Sequence, residues 1–109
     1  MGTKRFSAEL YEGHSDCAVI VPFEPSKSWD TFPRRIGYRK YEGYAVRGTV
    51  NGEAFDSWIW FYFHEWRMVI ANRVLAAIDA ESGEKVRIAV SPHPEPETVA
   101  PYKPGPKRR

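Results

Sequence analysis

Residues 44–60 read YAVRGTVNGEAFDSWIW, and the pair Asn51-Gly52 near their centre decides the fold class. Asn-Gly supplies the two positive φ angles of a type I′ turn, whose twist matches that of flanking strands. The residues on either side are rich in the β-branched and aromatic types that suit a pleated surface. A hairpin is expected here, with strands at about Tyr44–Val50 and Glu53–Phe63.

Downstream, a second reversal near His64-Glu65 returns the chain through WRMVIA. The period then changes from two to that of a helix. NRVLAAIDAESGEKV places Val74, Leu75 and Ile78 on one side, with Asn72 as the expected N-cap and Ser82-Gly83 as the stop. KVRIAVSP is a last strand whose Val86, Ile88 and Val90 face one way.

Upstream, Lys4 to Tyr11 alternates, with Phe6, Ala8 and Leu10 on one face. EGHSD is a turn, and CAVIV (Cys17–Val21) is a continuous apolar run that suits a strand covered on both faces. SKSWDTF suits one helical turn capped by Ser26 or Ser28, and PRRIGYRKYEGY reads as a charged loop. From Pro92 six prolines fall within 15 residues, so residues 93–109 are expected to be a disordered or polyproline-like basic tail after a single domain at 1–92. The body is mainly β: about six or seven short strands and one short helix, arranged as hairpins. A small barrel is the natural way to close such edges.

Composition narrows the class. At 109 residues the chain supports one core, and its 42% hydrophobic and 28% charged residues are ordinary globular values. The net charge of +2 belongs to the tail, where Lys103, Lys107, Arg108 and Arg109 face only Glu95 and Glu97; residues 1–92 are balanced. A balanced body gives no support to a nucleic-acid-binding surface. One cysteine excludes an intramolecular disulfide, and no apolar run approaches a membrane span. MGTKRFSAEL lacks the apolar core of a signal peptide, so a cytoplasmic chain is expected.

VPFE after a buried strand, VRGTVNGEAF, and MVIANRVLAAIDAESGEKVRIAV together resemble a family of small bacterial domains of unknown function. Its pattern is V-x-G-x-I/V-N-G-x-x-F followed by a short helix and a Gly-Asp-x-V strand; the likeness runs from about Phe6 to Pro94. The resemblance implies a double-split β-barrel. Some members occur beside bacteriocin-protection-type domains, and the broad fold is shared with dimeric AbrB/MazE-like DNA-binding proteins. It implies no catalytic residues. This chain departs from the pattern at Glu84, where the family prefers Asp, and at FYFHEW, which replaces a glycine-rich link.

FYFHEW ends the most aromatic stretch of the chain, DSWIWFYFHEW at 56–66. Strand alternation puts Phe55, Ser57, Ile59, Phe61 and Phe63 on one face, a plain core stripe. Asp56, Trp58, Trp60, Tyr62 and His64 share the other, with Trp66 nearby across the hairpin. Three uses of this second face compete. It is covered by the helix, the 23–43 loop or a second copy in a homodimer, since open Trp and Tyr would form a large apolar patch. It walls a cleft at the barrel mouth for a small apolar or aromatic ligand. Or it stacks single-stranded nucleic acid, with Arg34, Arg35, Arg39 and Lys40 on the phosphates.

Catalysis has little support. HSDC invites a Cys-His reading, but Cys17 opens an apolar strand, where a thiol behaves as a small hydrophobe. His14, Asp16, His64 and Glu65 lack the spacing of a metal site, and no phosphate-binding or nucleophile motif is present. No cofactor or metal is implied. The sequence points to a binding or interaction module whose contact residues are Trp58, Trp60, Tyr62, His64 and Trp66. A DNA- or RNA-binding regulator is the alternative by fold analogy, and an enzyme would need a site assembled across the fold.

Overall fold

Asn51 and Gly52 take φ angles of 47° and 89° and join strand β5 (Glu42–Val50) to β6 (Glu53–Tyr62), with Val50 opposite Glu53. The computed structural model describes residues 2–13, 16–36 and 42–100. Around this hairpin the chain forms β1 (Lys4–Glu9), β2 (Tyr11–Glu12), β3 (Cys17–Val21) and the single-turn helix α1 (Pro25–Ser28) before it. The short strand β4 (Arg34–Arg35) also precedes it; β7 (Glu65–Ile70), helix α2 (Asn72–Ala77) and β8 (Lys85–Pro92) follow. The protein is mainly β, with eight strands and two short helices among the described residues.

The strands follow the order β1-β8-β5-β6-β7-β3-β2, all antiparallel. One stretch of chain, Lys4–Glu12, supplies both ends of this order. Its first half pairs with β8 and its second with β3, so the sheet curls into a barrel-like form. Leu10 sits buried at the bend. Its N–H donates to the Glu84 carbonyl at 2.8 Å and its own carbonyl accepts from Gly83 N–H at 2.7 Å, which keeps the backbone satisfied where the ladders change partner. At Gly48 the β5 backbone comes so near β8 that a Cβ would lie 1.8 Å from the Ala89 carbonyl oxygen. Only glycine fits there.

Inward residues read in the sequence, among them Leu10, Ile59, Val86 and Ile88, are buried as expected, and they meet a wider core. Val19, Val46, Val50, Ile59, Met68 and Val90 are fully buried, and Val74 and Leu75 of α2 close over them. At one end Phe23 packs edge-on against Phe6 and Trp29, and the Trp29 indole N–H donates to the Gly2 carbonyl at 2.7 Å.

Several local expectations are corrected. Ala71, with φ −62° and ψ 146°, is the N-cap of α2, so Asn72 already lies inside the helix. Asp16, at the start of β3, accepts the Asn72 N–H at 3.3 Å, doing from a neighbouring strand what a cap side chain does locally. Helix α1 takes Glu24 as its N-cap and Pro25 as its first residue, in place of Ser26 or Ser28. The charged loop at 33–44 contains a strand, because Arg34 and Arg35 pair with Gly43 and Glu42.

The largest correction concerns the proline-rich segment. Residues 93–100 lie on the sheet instead of leaving it at Pro92. The His93 N–H donates to the Ala45 carbonyl at 2.9 Å, Pro96–Thr98 form a 3-10 turn, and Val99 is buried against Ile36, Ala45 and Trp58. Prolines spaced two apart cannot join a ladder, yet nothing bars them from a strap that crosses a sheet face using other backbone groups. The rest of the expected tail, residues 101–109, lies outside the described residues.

Candidate functional site

The two faces of β6 differ from expectation in an ordered way along the strand. Near its start, Phe55, Ser57 and Ile59 are core as predicted, and the Ser57 hydroxyl donates to the Val69 carbonyl at 2.7 Å. The β5 ladder ends at Tyr44 opposite Ile59. Beyond that point, among the described residues, β6 pairs only with β7, through Trp60–Arg67, Phe61–Trp66 and Tyr62–Glu65. Among these residues the hairpin end is a two-stranded ribbon with no third strand beside it. Phe61 and Phe63, expected in the core stripe, are therefore 53% and 71% exposed.

The opposite face is also divided. Trp58 is only 5% exposed, sealed by Ile36, Val99 and the strap, and its indole N–H donates to the Ala100 carbonyl at 3.1 Å. It belongs to a second small core, not to a contact surface. Part of the cover comes from the 23–43 segment, one of the three covers expected, and part from the strap, which was not. Trp60 is half-buried against this cluster, and Tyr62 is 44% exposed.

His64 and Trp66 are not on that face. His64 is the second turn residue of the β6–β7 hairpin: Phe63 and His64 adopt φ angles of 50° and 61°. Trp66 lies opposite Phe61, so it shares the Ile59 face; its ring packs edge-on against Phe61 at 5.1 Å and Tyr44 at 5.9 Å. The Arg67 guanidinium is held at the ribbon's base. It donates to the Tyr62 carbonyl and the Tyr11 hydroxyl, both at 2.8 Å, and lies over the Tyr11 and Tyr62 rings.

The ribbon end thus carries three open aromatic rings, with Tyr62 and Phe63 themselves stacked edge-on at 4.6 Å. Their tight turn has two non-glycine residues in the left-handed region, each an unfavourable conformation costing about 1–3 kcal/mol. The sequence reading found this stretch and named Tyr62 and His64, which are exposed, but it also named the buried Trp58 and read the exposed Phe61 and Phe63 as core. Of the basic residues singled out, Arg34 and Arg35 are exposed on β4; Arg39 and Lys40 lie outside the described residues. His14 does too, and Asp16 is engaged by Asn72.

No family model matches this chain, and no curated protein matches it either.

A second feature was not legible in the sequence. On the outer face of β1, β8, β5 and β6 a cleft of about 630 Å³ is lined by Arg5, Arg47, Arg73, Asp56 and Ser91, over a floor of small residues. At its rim the buried His93 ring points Nε2 at Asp56 Oδ2, 3.3 Å away, while its Nδ1 accepts the Glu95 N–H at 2.9 Å. The Glu95 bond places the ring proton on Nε2, so His93 donates to Asp56. Asp56 also faces Arg47 at 3.8 Å. This constellation ties the strap to β6 and leaves His93 with both nitrogens occupied, which suits an anchor and not a general base. Among the described residues no three His, Cys, Asp or Glu side chains are grouped to hold a metal ion.

Proposed function

We propose that the chain is an interaction module with no chemistry of its own, and that it self-associates through the open end of the β6–β7 hairpin. The observation that supports this reading is the exposure of Phe61, Tyr62 and Phe63 together at one turn. Rings of this size bury about 150–250 Å² each, so their open portions amount to roughly 300 Å² of apolar surface. A patch of that size matches the largest apolar patch of a typical monomer, and such patches are often functional.

The patch is smaller than the ~800 Å² per partner of a stable complex, so the contact is a weak one centred on aromatic anchors. A two-fold contact suits it. The same rings on each copy would face one another edge-to-face or offset, the geometry aromatic pairs prefer. The homodimer expected from the sequence is thereby kept, with its seam moved from Trp58 to the hairpin end. The histidine at the rim of the arginine-lined cleft, His93, is already committed to structure.

Sedimentation of the wild-type chain and of Phe61→Ser with Phe63→Ser, over a wide concentration range, tests the proposal. Both positions are exposed on a ribbon, so the fold should survive the exchange. Association in the wild type that disappears in the variant is the expected result. A wild-type chain that stays monomeric, or a variant that associates equally well, would overturn it.

A further inference from the structure

We infer that the outer sheet face is a binding site for the phosphodiester backbone of single-stranded nucleic acid, held by Arg5, Arg47, Arg73 and Arg87. The inference goes beyond self-association at the hairpin and does not rest on it.

The register builds the site. Successive outward rows of the sheet each contribute one guanidinium: Arg87 stands opposite Ser7, Arg5 opposite Ala89, and Arg47 opposite Ser91. Rows along a strand are about 6.6–6.8 Å apart, so the three arginines form a staircase across β8, β1 and β5. Arg73 reaches the same cleft from α2. A second cleft of about 450 Å³, lined by Arg87 and Asn51, shares Arg5, Thr49 and Ala89 with the first, so the two form one continuous groove. Its floor is shallow because Ala54 and Ala89 point small side chains outward.

Charge is segregated here although residues 1–92 are balanced overall. Asp56 is the one carboxylate lining either cleft, and it is occupied by His93 and Arg47. Arg5, Arg73 and Arg87 have no carboxylate partner among the described residues. Guanidinium pairs bidentately with phosphate, and the hydroxyls of Ser7, Thr49 and Ser91 add further donors. The aromatic residues lining the groove, Phe6 and Phe55, pack into the core, so it presents no open ring to stack a lone base and suits a running backbone instead. A shallow groove across the sheet accepts a flexible strand, whereas reading a duplex calls for an element that protrudes into its groove.

The test is fluorescence anisotropy of a labelled 12-nucleotide single-stranded DNA, titrated with the full-length chain at several salt concentrations. Each phosphate contact with a single strand contributes about 0.7 to the slope of log affinity against log salt. Arg5→Gln with Arg87→Gln should therefore lower the magnitude of that slope by about 1.4 and weaken binding at low salt by at least roughly tenfold. Arg34→Gln with Arg35→Gln should leave both unchanged, and so should neutralising Lys103, Lys107, Arg108 and Arg109 leave the Arg5/Arg87 difference intact. The inference is overturned if no binding appears at low salt, if the Arg5/Arg87 variant binds like wild type, or if the Arg34/Arg35 variant shows the loss instead. It is equally overturned if polyglutamate or inorganic phosphate competes as well as an unlabelled oligonucleotide, since the groove would then be a general anion patch. Because Phe61 and Phe63 are intact in every variant, failure here leaves the sedimentation result unaffected.

Discussion

The Trp58 indole N–H donates to the carbonyl oxygen of Ala100 at 3.1 Å, joining residues 42 positions apart. This bond, with Val99 packed beside it, turns a proline-rich segment into the cover of an aromatic strand. It also divides the outer face of the sheet. On one side of the strap lies the arginine-lined groove, and on the other the ribbon ending in Phe61, Tyr62 and Phe63.

Replacing Val99 with Asp should free the strap. A carboxylate cannot remain between Ile36 and Trp58 without a partner, so the segment would detach and hydrate it. The cost is limited to the strap's own contacts, about 1.5–3 kcal/mol for a buried aliphatic side chain. Iodide quenching of tryptophan emission should rise in Val99→Asp, because the strap supplies part of the cover of Trp58. Quenching equal to wild type would show that the strap does not shelter Trp58.

His93 and Asp56 should be energetically coupled. Removing the imidazole in His93→Ala leaves the Glu95 N–H and one Asp56 oxygen without their protein partners, at about 1–3 kcal/mol. Asp56 is open to water, so its side of the loss is softened. A double-mutant cycle with Asp56→Ala, measured by urea unfolding, should therefore give a coupling energy smaller than the His93→Ala effect itself. Strict additivity would mean the 3.3 Å contact contributes nothing.

The Phe63-His64 turn should be strained. Asn-Gly adopts two positive φ angles readily, as Asn51-Gly52 does in the preceding hairpin. Exchanging Phe63-His64 for Asn-Gly should raise unfolding stability by about 1–3 kcal/mol while reducing self-association, since it removes the most exposed of the three rings at the hairpin end. Stabilisation and lost contact arising from the same change would mark the turn as kept for binding. A destabilised variant would instead make Phe63 a structural residue.

Much of the fold was legible locally. Asn51-Gly52 announced its hairpin, and alternation in β1 and β8 assigned inward residues correctly, because register converts a one-residue pattern into a face. What the pattern could not convey was how wide the sheet is at each point along β6. Phe61 and Ile59 share a face, but only Ile59 has β5 beside it. Trp66 was misplaced for a related reason: its face follows from the turn, and Phe63-His64 does not look like one. Proline density hid the strap, whose cover depends on Val99 meeting Trp58. The groove was invisible because Arg5, Arg47, Arg73 and Arg87 are single residues on four elements, brought together by strand order alone.

The central claim is that the hairpin end is where copies of the chain meet. Amide chemical shifts of the wild-type protein, followed from high concentration to dilution, test it residue by residue. The account predicts concentration-dependent shifts confined to about residues 60–67, with β1, β8 and the strap unmoved. Shifts centred elsewhere, or none across the whole range, would contradict it.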